Sequence, residues 1–287
     1  MQPIKALVSR RLHLLYEYFA LSFGLGMLGL LCLAWSPVAW LLCRVQSRKG
    51  KGRDRGRLGR FGRFVNMAVF RFYLWTLSAT RAMRFDIAAL DALAGEEPVI
   101  IAPNHPCLLD ALLVISRLPN VVCIMKNALT GNFLLGPGAR LARYIGNDSL
   151  MTMIRESVQT LAEGNHLLLF PEGTRTVREP VNKFTAAVGL IAARGGVPVQ
   201  TVFIECDSRF LSKGWPLFRR PSLPIRYRVR LGKRFDPPQD VRAFTHELER
   251  YFDDELTRGA PVTVMPGTPA KAARRSGRGS ANLANPT

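Results

Sequence analysis

The stretch Ile100-Ile101-Ala102-Pro103-Asn104-His105-Pro106-Cys107-Leu108-Leu109-Asp110 is an apolar run of strand character that ends abruptly in polar residues. His166-Leu167-Leu168-Leu169-Phe170 followed by Pro171-Glu172-Gly173-Thr174-Arg175 has the same shape. Such runs are expected where a sheet presents functional groups at the carboxyl edge of its strands. Around them, apolar strands read over 98–102, 121–125, 166–170 and 199–204, and helical patterns over 108–118, 133–145, 152–163 and 185–194. This alternation predicts an α/β domain, a mostly parallel sheet flanked by helices. Ile225, Tyr227, Val229 and Leu231 alternate with Arg226, Arg228 and Arg230, a strand with one buried and one basic face. Residues 238–258 read as a polar terminal helix.

With 287 residues and 48% apolar content, the chain can bury a full core. A net charge of +19, from 40 bases against 21 acids, implies an anionic partner and leaves nucleic acid and an acidic lipid surface both open. The five cysteines show neither paired spacing nor a zinc pattern, which suggests reduced thiols on a cytosolic face. No metal is expected.

Residues 18–43 carry no formal charge. As helix they would extend about 39 Å, longer than the roughly 30 Å hydrocarbon core, so the segment belongs in a bilayer. Pro37 leaves two forms open, a membrane helix ending near Trp35 or a helical hairpin returning to the interface. Gly24, Gly26 and Gly29 match a dinucleotide fingerprint only formally, since no strand precedes them. Basic residues from Arg44 to Arg63 follow, opposed only by Asp54. The positive-inside bias then places the rest of the chain on the cytoplasmic face. The basic run is expected to hold anionic headgroups, and its glycines to keep it flexible. Lipid is thus the expected partner, and nucleic acid is not. The predicted organisation is a membrane-anchoring segment with polybasic linker and apolar helix over 1–80, a main domain over 81–258, and a disordered basic tail over 259–287.

His105 and Asp110 carry the chemistry. A neutral imidazole can take a proton from an alcohol as it attacks, and a carboxylate on its far nitrogen fixes the tautomer and stabilises the imidazolium. No Gly-x-Ser-x-Gly elbow occurs, and Cys107 serves as a nucleophile only if it faces the same side as His105. In the second motif the guanidinium of Arg175 can grip a phosphate, and Gly173 lets the backbone approach an anion. Glu172 is expected to position Arg175 or to accept from an acceptor hydroxyl. His166 reads as structural. Trp215-Pro216-Leu217-Phe218-Arg219-Arg220 suits interfacial docking or a packed surface loop equally.

These motifs resemble those of the glycerolipid acyltransferases, a family that includes lysophosphatidic acid acyltransferase. Residues 104–110 match its His-x-x-x-x-Asp motif, Phe170-Pro171-Glu172-Gly173-Thr174-Arg175 matches its Phe-Pro-Glu-Gly-Thr-Arg motif, and Val197-Pro198-Val199 resembles its proline-bearing block. The resemblance covers residues 85–235. It implies that His105 is the general base and Asp110 its partner, and that Asn104, Glu172, Gly173, Thr174 and Arg175 bind the acceptor. It implies no cofactor: acyl-CoA or acyl-carrier protein is the donor substrate, and a lysolipid, 1-acylglycerol-3-phosphate or a relative, the acceptor. Where the family's second motif closes with an arginine, this chain has Asn147, so Lys126, Arg140 or Arg143 is expected to supply the missing cation. That departure keeps a lyso-aminolipid or pigment headgroup open as acceptor, and a non-catalytic binder of the same fold is the remaining alternative.

Overall fold

The computed structural model describes residues 2–49, 53–216 and 218–259. In chain order these form α1 (Gln2–Lys49), α2 (Arg53–Ala79), β1 (Met83–Asp86), β2 (Ile100–Pro103), α3 (Asp110–Ile115), β3 (Val121–Met125), α4 (Asn127–Thr130), α5 (Gly136–Leu141), β4 (Ile145–Gly146), α6 (Leu150–Ala162), β5 (His166–Leu168), α7 (Ala187–Gly195), β6 (Val199–Cys206), β7 (Ile225–Phe235) and α8 (Val241–Gly259). The tail expected from residue 259 onward lies outside the described residues, apart from Gly259 at the end of α8.

The strands form one sheet in the order β1-β7-β6-β2-β5-β3-β4. β2, β3, β4, β5 and β6 run parallel, while β7 is antiparallel to β6 and β1 is parallel to β7. The carboxyl ends of β2, β3, β5 and β6 therefore meet at one edge, and β2 lies between β5 and β6.

Alternation along β2 distributes its side chains between two cores. Ile101 packs with Leu113, Leu168 and Tyr227 under α2 and α3, whereas Ile100 and Ala102 pack with Ile191, Phe203 and Phe252 under α7 and α8. Ile100 and Ile101 are fully buried, each worth roughly 1.5–3 kcal/mol by transfer from water. In β7, Ile225, Tyr227 and Val229 turn inward and Arg226 and Arg228 outward, as the alternation predicts. Two helices start where a side chain satisfies free N–H groups: Ser149 Oγ accepts from Thr152 N at 3.4 Å before α6, and Asp240 Oδ1 accepts from Arg242 N and Ala243 N at 2.8 and 3.0 Å before α8.

α1 is one continuous helix that passes through Pro37 to Lys49, so it neither ends near Trp35 nor turns back as a hairpin, and both expected forms are corrected. Its stretch Arg11–Val45 is long and apolar enough to cross a membrane. It is also fastened to the body near both ends. Tyr16 Oη donates to Thr80 O at 2.7 Å, Trp35 Nε1 donates to Asn66 Oδ1 at 3.0 Å, and Ser36 Oγ donates to Leu134 O. Leu12, Leu15, Phe19, Leu30, Leu33 and Leu41 face outward.

The basic run needs correction in two places. Arg63 is buried in α2 and donates to Asn165 Oδ1 at 2.8 Å and to Ala142 O at 3.3 Å, so it holds the helix to the domain instead of a headgroup. Gly62, expected to give flexibility, lies in the same helix, where a Cβ would come within 2.8 Å of the Leu141 backbone. It is small because α2 and α5 touch there.

Candidate active site

Pro103 ends β2, and the side chain of Asn104 fastens this end to β6. Its Oδ1 accepts from Ile204 N at 2.7 Å and its Nδ2 donates to Ile204 O at 3.0 Å. With both polar atoms given to backbone and the residue buried, Asn104 is not available to an acceptor molecule. It clamps two strands so that His105 emerges at the sheet edge.

From there a short turn carries the chain into α3, whose first residue is Asp110. Asp110 Oδ2 accepts from His105 Nδ1 at 2.8 Å and from Cys107 N at 2.7 Å. A carboxylate offers only lone pairs, so Nδ1 carries the proton and Nε2 is left as the basic atom. The Asp110 side chain is fully buried and that of His105 is 17% exposed, so the acid is shielded while the ring reaches solvent. Phe170 stacks on the imidazole with centroids 3.9 Å apart and 21° between planes, which fixes the ring's orientation from the other motif. Burial pushes the Asp110 carboxyl above its ordinary pKa, and the bonds from His105 and Cys107 N pull it back.

Cys107 faces away from the reaction. It is buried, its Sγ accepts from Leu109 N at 3.1 Å and lies 3.4 Å from Tyr227 Oη. Burial, reinforced by the Asp110 charge, pushes this thiol well above its ordinary pKa, and a protonated, enclosed thiol is not a nucleophile.

Glu172 also departs from expectation. It is buried, and its Oε1 accepts from His105 N at 2.9 Å and from Thr176 Oγ1 at 2.7 Å, while Oε2 accepts from Asn182 N at 2.9 Å. Both oxygens are occupied, so the carboxylate ties the two motifs together instead of binding acceptor or Arg175. Thr176 N completes the tie by donating to His105 O at 2.7 Å. Nothing in the sequence distinguishes Thr176 and Asn182 from other loop residues.

Gly173 turns at φ 65°, a conformation open to glycine at no steric cost, and brings Thr174 and Arg175 to the same edge. Arg175 Nη1 donates to Leu211 O at 2.8 Å and Ser212 O at 3.1 Å. Lys126 is exposed immediately after β3. Arg140 donates to Thr130 O, and Arg143 pairs with Glu163 at 2.9 Å, which engages both alternatives to Lys126. Asn147 N donates to Met125 O at 3.1 Å, which keeps the position beside the end of β3. His166 is buried, accepts from Val99 N at 3.2 Å through Nδ1 and donates to Leu93 O at 3.1 Å through Nε2, the structural role read for it.

The acyltransferase family model matches residues 84–205, a span that contains both motifs and the strands that carry them. The 1-acyl-sn-glycerol-3-phosphate acyltransferase of Pseudomonas aeruginosa is 23% identical over 210 residues, covering 70% of this chain and 79% of that protein. The human 1-acyl-sn-glycerol-3-phosphate acyltransferase alpha is 24% identical over 205 residues, 68% of this chain and 72% of its own. The crystal structure of the 1-acyl-sn-glycerophosphate acyltransferase PlsC from Thermotoga maritima shares the fold, with a TM-score of 0.56 at 19% identity over 90% of this chain and 97% of that one. Two strand-end motifs meeting at one sheet edge, a matching domain model and relatives of one enzyme class agree: the chain is an acyltransferase, and it is similar to the glycerolipid acyltransferases.

Proposed function

We propose that this protein transfers a fatty acyl chain from acyl-CoA or acyl-carrier protein to the free hydroxyl of a lysophospholipid, 1-acylglycerol-3-phosphate or a close relative. The observation that carries the reading is the 2.8 Å bond between His105 Nδ1 and Asp110 Oδ2, which leaves Nε2 basic on a ring with one open edge. In the reaction Nε2 takes the hydroxyl proton as the acceptor oxygen attacks the thioester carbonyl. The tetrahedral adduct collapses, the new ester forms, and the departing thiolate receives the proton from the imidazolium, which Asp110 has stabilised meanwhile. No covalent enzyme intermediate is needed. Arg175 and Lys126 supply cations for the acceptor's phosphate, in keeping with the names of the relatives.

The exposed apolar side chains of α1 are proposed to hold the domain at a bilayer, with the basic residues after it against anionic headgroups on the cytoplasmic face. Labelled acyl-CoA supplied with detergent-solubilised lysolipids tests the reading. His105→Ala should cut transfer on the order of 10²–10⁴-fold while the protein stays with membranes. Undiminished turnover would remove His105 from the chemistry. A lyso-aminolipid used in preference to every lysophospholipid would move the acceptor elsewhere.

A further inference from the structure

The loop between β6 and β7 carries a cation that neither motif accounts for. Its first half is anchored to the domain: Phe210 and Leu211 are buried in the core, and Asp207 Oδ1 accepts from Arg226 N at 2.9 Å at its base. Ser212 N donates to Arg209 O at 3.0 Å, and Trp215 N donates to Ser212 O at 3.1 Å. Leu211 adopts φ 60°, a conformation that costs a branched side chain of this size energy and is kept where surrounding contacts enforce it. With this turn in place, the carbonyls of Leu211 and Ser212 both accept from Arg175 Nη1. Leu211 O also accepts from Leu108 N at 3.1 Å, in the turn that follows His105. The loop is thus bonded to both motifs at once.

Lys213 is the next residue. It is exposed, and its Nζ lies 3.4 Å from Thr174 Oγ1. No carboxylate pairs with it among the described residues, in contrast to Arg209 with Glu179 and Arg220 with Glu17 on the same loop. Nor do Nε and Nη2 of Arg175 have a hydrogen-bond partner among the described residues. An unneutralised ammonium and the open edge of a guanidinium therefore flank Thr174, two residues before Thr176, whose N–H donates to His105 O at 2.7 Å, a suitable setting for an anion with several acceptor oxygens.

Resting on the lysolipid reading above, we propose that Lys213, from the β6–β7 loop, joins Arg175 and Lys126 as a further cation that binds the phosphate monoester of the acceptor. The chemistry of the two substrates favours the acceptor over the donor. In 1-acylglycerol-3-phosphate the reacting hydroxyl and the phosphate are on adjacent carbons, so a phosphate site must lie beside the imidazole. In acyl-CoA the long pantetheine arm separates the thioester from every phosphate.

The test uses the full chain in detergent, comparing wild type, Lys213→Ala and Lys213→Arg with acyl-CoA and two acceptors, lysophosphatidic acid and monoacylglycerol, which differ only in the phosphate. The preference for lysophosphatidic acid, as the ratio of kcat/KM values, should fall about ten- to hundredfold in Lys213→Ala through KM, as for loss of a charge-assisted hydrogen bond, and Lys213→Arg should recover most of it. An unchanged ratio, or equal losses with both acceptors, overturns the assignment, as does a rise in the KM for acyl-CoA in its place. Should the wild type acylate neither acceptor, the lysolipid reading itself fails. Calorimetric binding of a short-chain lysophosphatidic acid then decides Lys213 separately: weaker binding by Lys213→Ala supports the site, and equal or no binding by both proteins overturns it.

Discussion

The backbone N–H of His105 donates to Glu172 Oε1 across 2.9 Å although 67 positions separate the two residues in sequence. Glutamate in the second motif therefore acts on the first. By accepting from His105, Thr176 and Asn182 together, it sets where the histidine backbone leaves β2. Glu172→Gln keeps the volume but turns one oxygen into a donor facing donors. The variant should lose about 1–3 kcal/mol of stability, visible as a lower Tm in detergent, and its kcat should fall more than its KM for lysolipid rises. A variant with native Tm and a purely KM effect would return Glu172 to the acceptor site.

Asp110→Asn removes the charge that selects the Nδ1–H tautomer and steadies the imidazolium. Steady-state assays should show kcat lowered on the order of 10²–10⁴-fold. Substitution of this buried acid by its amide with little loss would mean that His105 works without it.

Cys107 is enclosed, and its pKa is pushed well up by burial. Iodoacetamide at pH 8 should leave the Cys107 peptide unmodified in the folded protein and alkylate it after denaturation, as read by mass spectrometry. Cys107→Ser should lower turnover by less than about tenfold, against the 10²–10⁴ expected for loss of a catalytic group. Rapid inactivation with label on Cys107 would instead support a covalent route.

His166 has its pKa lowered from the ordinary 6.5 by burial between Val99 and Leu93. The unfolded chain then binds the proton more readily than the folded one, so His166 contributes stability above about pH 6.5 that is lost as pH falls towards its folded-state pKa. Thermal melts between pH 7.5 and 5.5 should show wild type losing more stability than His166→Gln, whose melts start lower but vary less. The Asp110 shift is common to both proteins and cancels in the comparison. Parallel profiles would mean that His166 titrates alike in the folded and unfolded chains.

The strand over Val121–Met125 was readable residue for residue, because a run of five apolar side chains between polar neighbours has few other uses. The α/β class and the pairing of His105 with Asp110 were legible for similar local reasons, five residues being enough to close a turn. Short strands were not: Met83–Asp86 and Ile145–Gly146 owe their state to the partners β7 and β3, which local pattern does not encode. The same limit explains Asn104, Glu172 and Arg63. Each is polar and was read as facing a ligand, yet each is bonded to groups 67 to 102 positions away. Residue type tells what a side chain can bond, and only chain closure tells what arrives beside it. Lys213 was invisible for that reason, being a single lysine in a loop until Thr174 and Arg175 are placed against it.

The clamp from Asn104 to Ile204 has a consequence for biosynthesis. A ribosome releases the histidine turn well before the strand that secures it, and the loop gripping Arg175 emerges later still. Nascent or truncated products ending ahead of residue 204 would hold an imidazole on an unsecured strand end, so acylating power should arise only once translation of the domain is nearly finished.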